Sequence, residues 1–146
     1  MTTIEILQRV VFLCCRGSYL LSERPTLEGV HAFLCAKEIN ELLENKQLEL
    51  DVEPNHLFAT HKEGIQIVIS WAESLNLCWV KEVDISIGVA DVLVYADDIG
   101  IFEIGTTRPT KMILLLKYIA RLDGFYTVHF WPYSGPDAFV FRNWQH

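Results

Sequence analysis

Hydrophobic and polar positions change period about halfway along the chain. Over residues 4–15 apolar side chains recur at helical spacing, Gly17 and Ser18 interrupt, and Pro25-Thr26 supplies an N-cap for a long helix over about 27–45. The stretch 48–60 carries Pro54-Asn55 and predicts a short strand or loop. Residues 61–75 return to helical spacing with Ile65, Val68, Ile69 and Ala72 inward. The period then drops to two, as Trp79, Lys81, Val83, Ile85 and Ile87 alternate with Val80, Glu82, Asp84 and Ser86 in the pattern of a half-buried strand. β-Branched runs at 89–96 and 99–105 flank Asp97-Asp98, a turn pair, and predict a hairpin. Beyond Thr106-Thr107-Arg108, Pro109 opens an apolar helix over about 110–122, closed by Asp123-Gly124. Strands over 125–133 and 138–144 complete the chain. Helices, three strands, one helix and two strands define an α/β class with a central mixed sheet, N-terminal helices and one crossover helix, in a single domain over 1–146.

Composition narrows the possibilities. A chain of 146 residues buries roughly two-thirds of the surface its unfolded form exposes, enough for a core without disulfides or structural metal. The apolar run 112–116 is far short of the ~20 residues that cross a bilayer, so no membrane partner is expected. Glu5, Gln8 and Arg9 precede the short apolar stretch 10–15, which lacks the features of a secretory leader; a cytoplasmic protein is expected. The four cysteines, Cys14, Cys15, Cys35 and Cys78, show no C-x-x-C spacing, which predicts reduced, mostly packed thiols and no zinc site. The net charge of −7, with 19 acidic residues against 12 basic ones, removes general electrostatic grip on phosphate backbones; nucleic acid would be met through a local site or with a partner's help.

The candidate chemistry lies in the hairpin. Asp91 and Glu103 stand inside otherwise apolar strands, where a carboxylate loses hydration and needs a cation or hydrogen-bond donors to remain ionised. Two such groups together suit a hard divalent cation. A two-residue loop at Asp97-Asp98 would put them on opposite faces; a three-residue loop, which Gly100 makes accessible, would bring Asp91, Leu93, Glu103 and Gly105 to one face. Lys111 lies on the apolar stripe of its helix with Leu115, Tyr118 and Leu122, whereas Thr110, Leu114, Lys117 and Arg121 form a solvated stripe. A functional Lys111 would place its ammonium near Glu103 and an anionic substrate. Glu38 interrupts the stripe of Leu27, Val30, Leu34 and Leu42 on the long helix, and is a third candidate ligand for metal or water. The histidines at 31, 56, 61, 129 and 146 show no ligand spacing. Aromatic residues crowd 125–133, a composition that can stack bases and more often builds core or interface.

The hairpin with Asp91, then Phe102-Glu103-Ile104-Gly105 and a helix bearing Lys111, resembles the core of the PD-(D/E)XK nuclease superfamily, whose fold runs helix, three strands, helix, strand. The resemblance covers about residues 79–133 together with the earlier helix. It implies a restriction-endonuclease-like fold, Asp91 as the motif aspartate, Glu103 as the acid of the E-x-K element and Glu38 as the optional helical acid. Gly105 occupies the usual lysine position, so the lysine role passes to Lys111, which reaches back from the helix. The function so implied is metal-dependent hydrolysis of DNA or RNA phosphodiesters, with Mg²⁺ or Mn²⁺ as cofactor on Asp91, Glu103 and Glu38. The alternative is a catalytically inactive nuclease-fold module that binds protein or nucleic acid, often as a homodimer. Tyr95-Ala96-Asp97-Asp98 also resembles the Y-x-D-D hairpin of reverse transcriptases, but a polymerase palm needs a much longer chain.

Overall fold

A computed structural model describes residues 3–15, 27–133 and 135–143. Among them are four helices, α1 (Thr3–Cys14), α2 (Leu27–Glu44), α3 (His61–Ser74) and α4 (Pro109–Ala120), and six strands. The strands are β1 (Leu48–Pro54), β2 (Cys78–Asp84), β3 (Val89–Tyr95), β4 (Ile99–Ile104), β5 (Tyr126–Trp131) and β6 (Asp137–Asn143). They form one mixed sheet in the order β1-β6-β5-β4-β3-β2, antiparallel throughout except for β4 and β5, which α4 connects as a parallel pair. The class is α/β, as the change of period predicts. The break at Gly17-Ser18, the cap at Pro25-Thr26 and the end of the last strand at Trp144 lie outside the described residues.

The sheet separates two cores. On one face α1, α2 and α4 bury Leu7, Val11, Ile39, Leu115, Leu116 and Ile119 against Ile101, Phe130 and Phe141. On the other, α3 buries Val68, Ile69 and Ala72 against Val92, Phe102, Ile104 and Trp131. Helix α3 begins at a capping box: Thr60 Oγ1 accepts the Glu63 N–H at 3.2 Å, and Glu63 Oε2 accepts the Ala59 N–H at 3.0 Å. Gly64 then allows α3 to lie on β4, since a Cβ there would collide with Ile104. Three of the four cysteines are buried free thiols; Cys78 is exposed.

Two local departures from strict alternation matter for the site. The hairpin loop has three residues, 96–98, because Tyr95 pairs with Ile99 and Val92 with Phe102. In addition, Trp79 faces the α3 core whereas Val83 faces the other, and on the partner strand Val92 and Ala90 divide in the same way. An unbroken period of two would keep each of these pairs on one face. Between Lys81 and Val83 stands Glu82 with φ +52°, a left-handed conformation that turns the strand over. The register places it across from Asp91.

Candidate functional site

The three-residue loop decides the site. Continuing the register past Val92↔Phe102 sets Asp91 opposite Glu103. There the ladder opens, and backbone N–H groups turn to the carboxylates: Ile104 N–H donates to Asp91 Oδ2 at 2.7 Å, and Asp91 N–H to Glu103 Oε2 at 3.3 Å. Glu103 is 1 % exposed. Such a carboxylate is costly unless a cation compensates it, and Lys111 provides one, with Nζ 2.6 Å from Glu103 Oε1. The ammonium also donates to the Val89 carbonyl at 2.6 Å.

Lys111 reaches this place from the first turn of α4. The loop before the helix is fixed by Thr107, whose N–H donates to the Cys14 carbonyl at 2.7 Å, and by Pro109 at the first helical position. The lysine stem passes Gly88, where a Cβ would stand 3.3 Å from Cε. Gly105 explains why the ammonium arrives from the helix rather than from the strand. Its φ is +81°, and a Cβ there would enter the Tyr133 ring, so the position excludes a side chain sterically and conformationally.

These groups line a cavity of about 310 Å³ together with His61, Thr106, Arg108 and Tyr133. His61, the first residue of α3, sets Nε2 3.1 Å from Asp91 Oδ1. Burial pushes the Glu103 carboxyl up to about 7, the Asp91 charge adds to the effect, and Lys111 opposes it. Burial and the Asp91 charge also raise the Tyr133 phenol above its ordinary value.

Asp91, Glu103 and Lys111 are therefore gathered; Glu38 is not. It stands on α2 beside α4, 42 % exposed, with Oε1 3.2 Å from Lys117 Nζ. There it lines a separate small cavity with Cys35, Pro109, Thr110 and Ile113. His61 and Tyr133 belong to the site without any spacing that marks them. The capping box places His61 in a first helical turn, but its partner on β3 is fixed only by the packing of α3. Asp97 and Asp98 stay exposed in the hairpin loop.

The arrangement sets two carboxylates, an ammonium and a guanidinium around one cavity. Among the described residues no cluster of three or more histidine, cysteine or carboxylate side chains is arranged as a ready metal cage, and no helix is long and apolar enough to cross a membrane. Comparison with family models, curated proteins and solved structures gives no match for this chain.

Proposed function

We propose that this chain is a metal-dependent nuclease of the PD-(D/E)XK kind, hydrolysing phosphodiester bonds of DNA or RNA. The observation that carries the reading is the ion pair between Lys111 and Glu103, directly beside Asp91. It assembles the aspartate, glutamate and lysine of that pattern although Gly105 occupies the usual lysine position. The order β2, β3, β4, α4, β5 supports the same reading, being three strands, helix, strand, although α2 with Glu38 is separated from β2 by β1 and α3, so that the preceding helix is α3.

The carboxylates fit a hard cation. Glu103 binds its proton unusually tightly because it is buried next to Asp91; a divalent ion would relieve that condition. Asp91 and Glu103 would hold Mg²⁺ or Mn²⁺, which when bound lowers the pKa of a water and neutralises charge on the scissile phosphate. Glu38 lies too far around the fold to join them. His61 orients the Asp91 carboxylate through Oδ1. Lys111 places positive charge where the phosphorane develops, fixed in advance by Val89 and Glu103. Arg108, on the same wall, binds the neighbouring phosphate.

A catalytically inactive nuclease-fold module is the second reading. It is favoured because Lys111 already neutralises Glu103 and because the four carboxylate oxygens each face a protein donor or cation. The two readings separate on cleavage of plasmid and single-stranded substrates with Mg²⁺ and Mn²⁺. Cleavage by wild type that is lost in both Asp91→Ala and Glu103→Ala supports the enzyme. A wild type inert with every metal and substrate leaves the binding module.

A further inference from the structure

The α3 side of the sheet carries a cleft that the carboxylate site does not use. Two cavities of about 330 and 150 Å³ share Trp71, Phe102 and His129 as walls. Trp71, 45 % exposed, stands between them and leans on the Phe102 ring at 5.9 Å. Phe102 stacks nearly parallel on His129, with centroids 4.0 Å apart, and the pair forms the floor of the cleft behind Trp71. Gly100 keeps that floor low; a Cβ there would press on Phe102 and on Thr127 Oγ1 at 3.2 and 3.3 Å. His56, stacked on Trp131 at 4.4 Å, walls the smaller cavity.

The polar groups of the cleft select its occupant. No lysine or arginine lines either cavity, whereas Asp97 and Asp98 border the larger and Glu53 the smaller. Phosphate is thereby excluded from the interior, and flat rings that carry N–H donors are favoured. Continuity with the carboxylate site runs through aromatic rings: Trp131 meets Phe58 at 6.4 Å, and Phe58 meets Tyr133, which lines the Asp91–Glu103 cavity, at 5.5 Å. The bases of a duplex are stacked on each other, so only an unpaired strand offers free ring faces.

We propose that this cleft stacks amino-bearing nucleobases of a single-stranded nucleic acid on Trp71, while the strand's phosphates stay outside it and lead toward Arg108 and Lys111. The inference deepens the nuclease reading by naming its substrate class. Adenine and cytosine offer the acidic rims an exocyclic amine, and thymine does not. Because stacking rather than charge holds the strand, affinity depends only weakly on salt.

The test is fluorescence anisotropy of labelled single-stranded oligo-dA, oligo-dC and oligo-dT and of a duplex of equal length, measured on the full chain in EDTA so that no cleavage occurs. Oligo-dA and oligo-dC are expected to bind about tenfold more tightly than the duplex, and more tightly than oligo-dT. Trp71→Ala, at a half-exposed position, is expected to lose about tenfold in affinity with an unchanged melting temperature, and Trp71→Phe to recover most of it. Equal affinity for duplex and single strand, or no effect of Trp71→Ala, overturns the proposal. Oligo-dT binding as tightly as oligo-dA overturns the role of the acidic rims. Cleavage assayed separately with Mg²⁺ keeps this outcome apart from failure of the nuclease reading, since anisotropy in EDTA reports binding alone. Single-strand binding by a wild type that never cleaves would overturn the enzyme and keep the cleft.

Discussion

The β3–β4 hairpin carries a pair of acids at each end, and the two pairs could hardly differ more. Asp97 and Asp98 are adjacent in sequence and sit exposed in the three-residue loop, free to be hydrated. Asp91 and Glu103 are separated by the whole hairpin, yet at the opened end of the ladder each accepts a backbone N–H, and Lys111 pairs with Glu103. Neighbours in a turn keep their water, whereas residues paired across strands lose it together and must be compensated by the fold. Reactive carboxylates arise from the second situation.

The largest expected effect breaks the comparison directly. Under Mg²⁺, Asp91→Ala and Glu103→Ala should each lower cleavage by ~10³-fold or more, since each removes part of the charge stabilisation at the reacting phosphate. Asp97→Ala and Asp98→Ala should leave the rate within about twofold, as exposed turn positions usually do. A rate measured on all four variants decides it; equal losses at both ends would mean that the loop aspartates hold the metal.

Lys111→Ala comes next, with an expected loss of ~10²-fold in cleavage. Its effect on stability should depend on pH. With the ammonium gone, Glu103 can remain neutral in acid but faces burial as an uncompensated anion in base. Melting temperatures of wild type and variant should agree near pH 5 and diverge above about pH 7, where Glu103 ionises. A constant difference at every pH would show that Lys111 contributes packing rather than charge.

How far the sequence foretold this end of the hairpin depends on the element. The change from helical to alternating period was legible, because each element carries many residues that repeat the same signal. The register was not: two- and three-residue loops suit Ala96-Asp97-Asp98 equally, and a one-residue slip sends Asp91 and Glu103 to opposite faces. Lys111 was legible as an odd cation on an apolar stripe. Glu38 had the same kind of signal, but its interruption of the stripe reflects an exposed pairing with Lys117. The reversal of faces at Glu82 has no sequence mark, since a glutamate with positive φ is held there by the strands around it. His61 and Tyr133 come from elements whose approach to Asp91 is set by tertiary packing alone.

A third prediction uses the pH dependence of the buried pair. The folded-state pKa of Glu103 is raised from 4.5 to about 7. The native state therefore holds this proton more tightly than the unfolded state, and its contribution to stability, full below about pH 4.5, is lost as pH rises to about 7. The span is up to about 3 kcal/mol. His129 acts with opposite sign: burial and then Arg142 lower it to about 4, so stability is lost as pH falls from about 6.5 toward 4. Comparison of wild type with Glu103→Gln in chemical denaturation isolates the glutamate component, which should vanish in the variant. Mn²⁺ needs the ionised carboxylate and should raise the melting temperature more at pH 8 than at pH 5.5. A metal effect that is independent of pH would remove Glu103 from the ligand set.

The smallest effect concerns Gly105 and asks whether the lysine could have stood on the strand. Gly105→Ala should destabilise by about 1–3 kcal/mol, because a side chain there has positive φ and meets the Tyr133 ring. Tyr133 is 45 % exposed and can swing away, so Tyr133→Ala should recover the steric part of that loss and leave the conformational part. Gly105→Lys in a Lys111→Ala background is the sharper variant. If cleavage returned, an ammonium from either position would satisfy Glu103, and the helix would be one of two equivalent routes. The expected result is no recovery, since Gly105 donates its N–H to the Trp131 carbonyl at 2.7 Å and cannot relax its backbone without breaking the parallel β4–β5 pair. Lys111 then supplies from the helix the charge for which the strand position has no room.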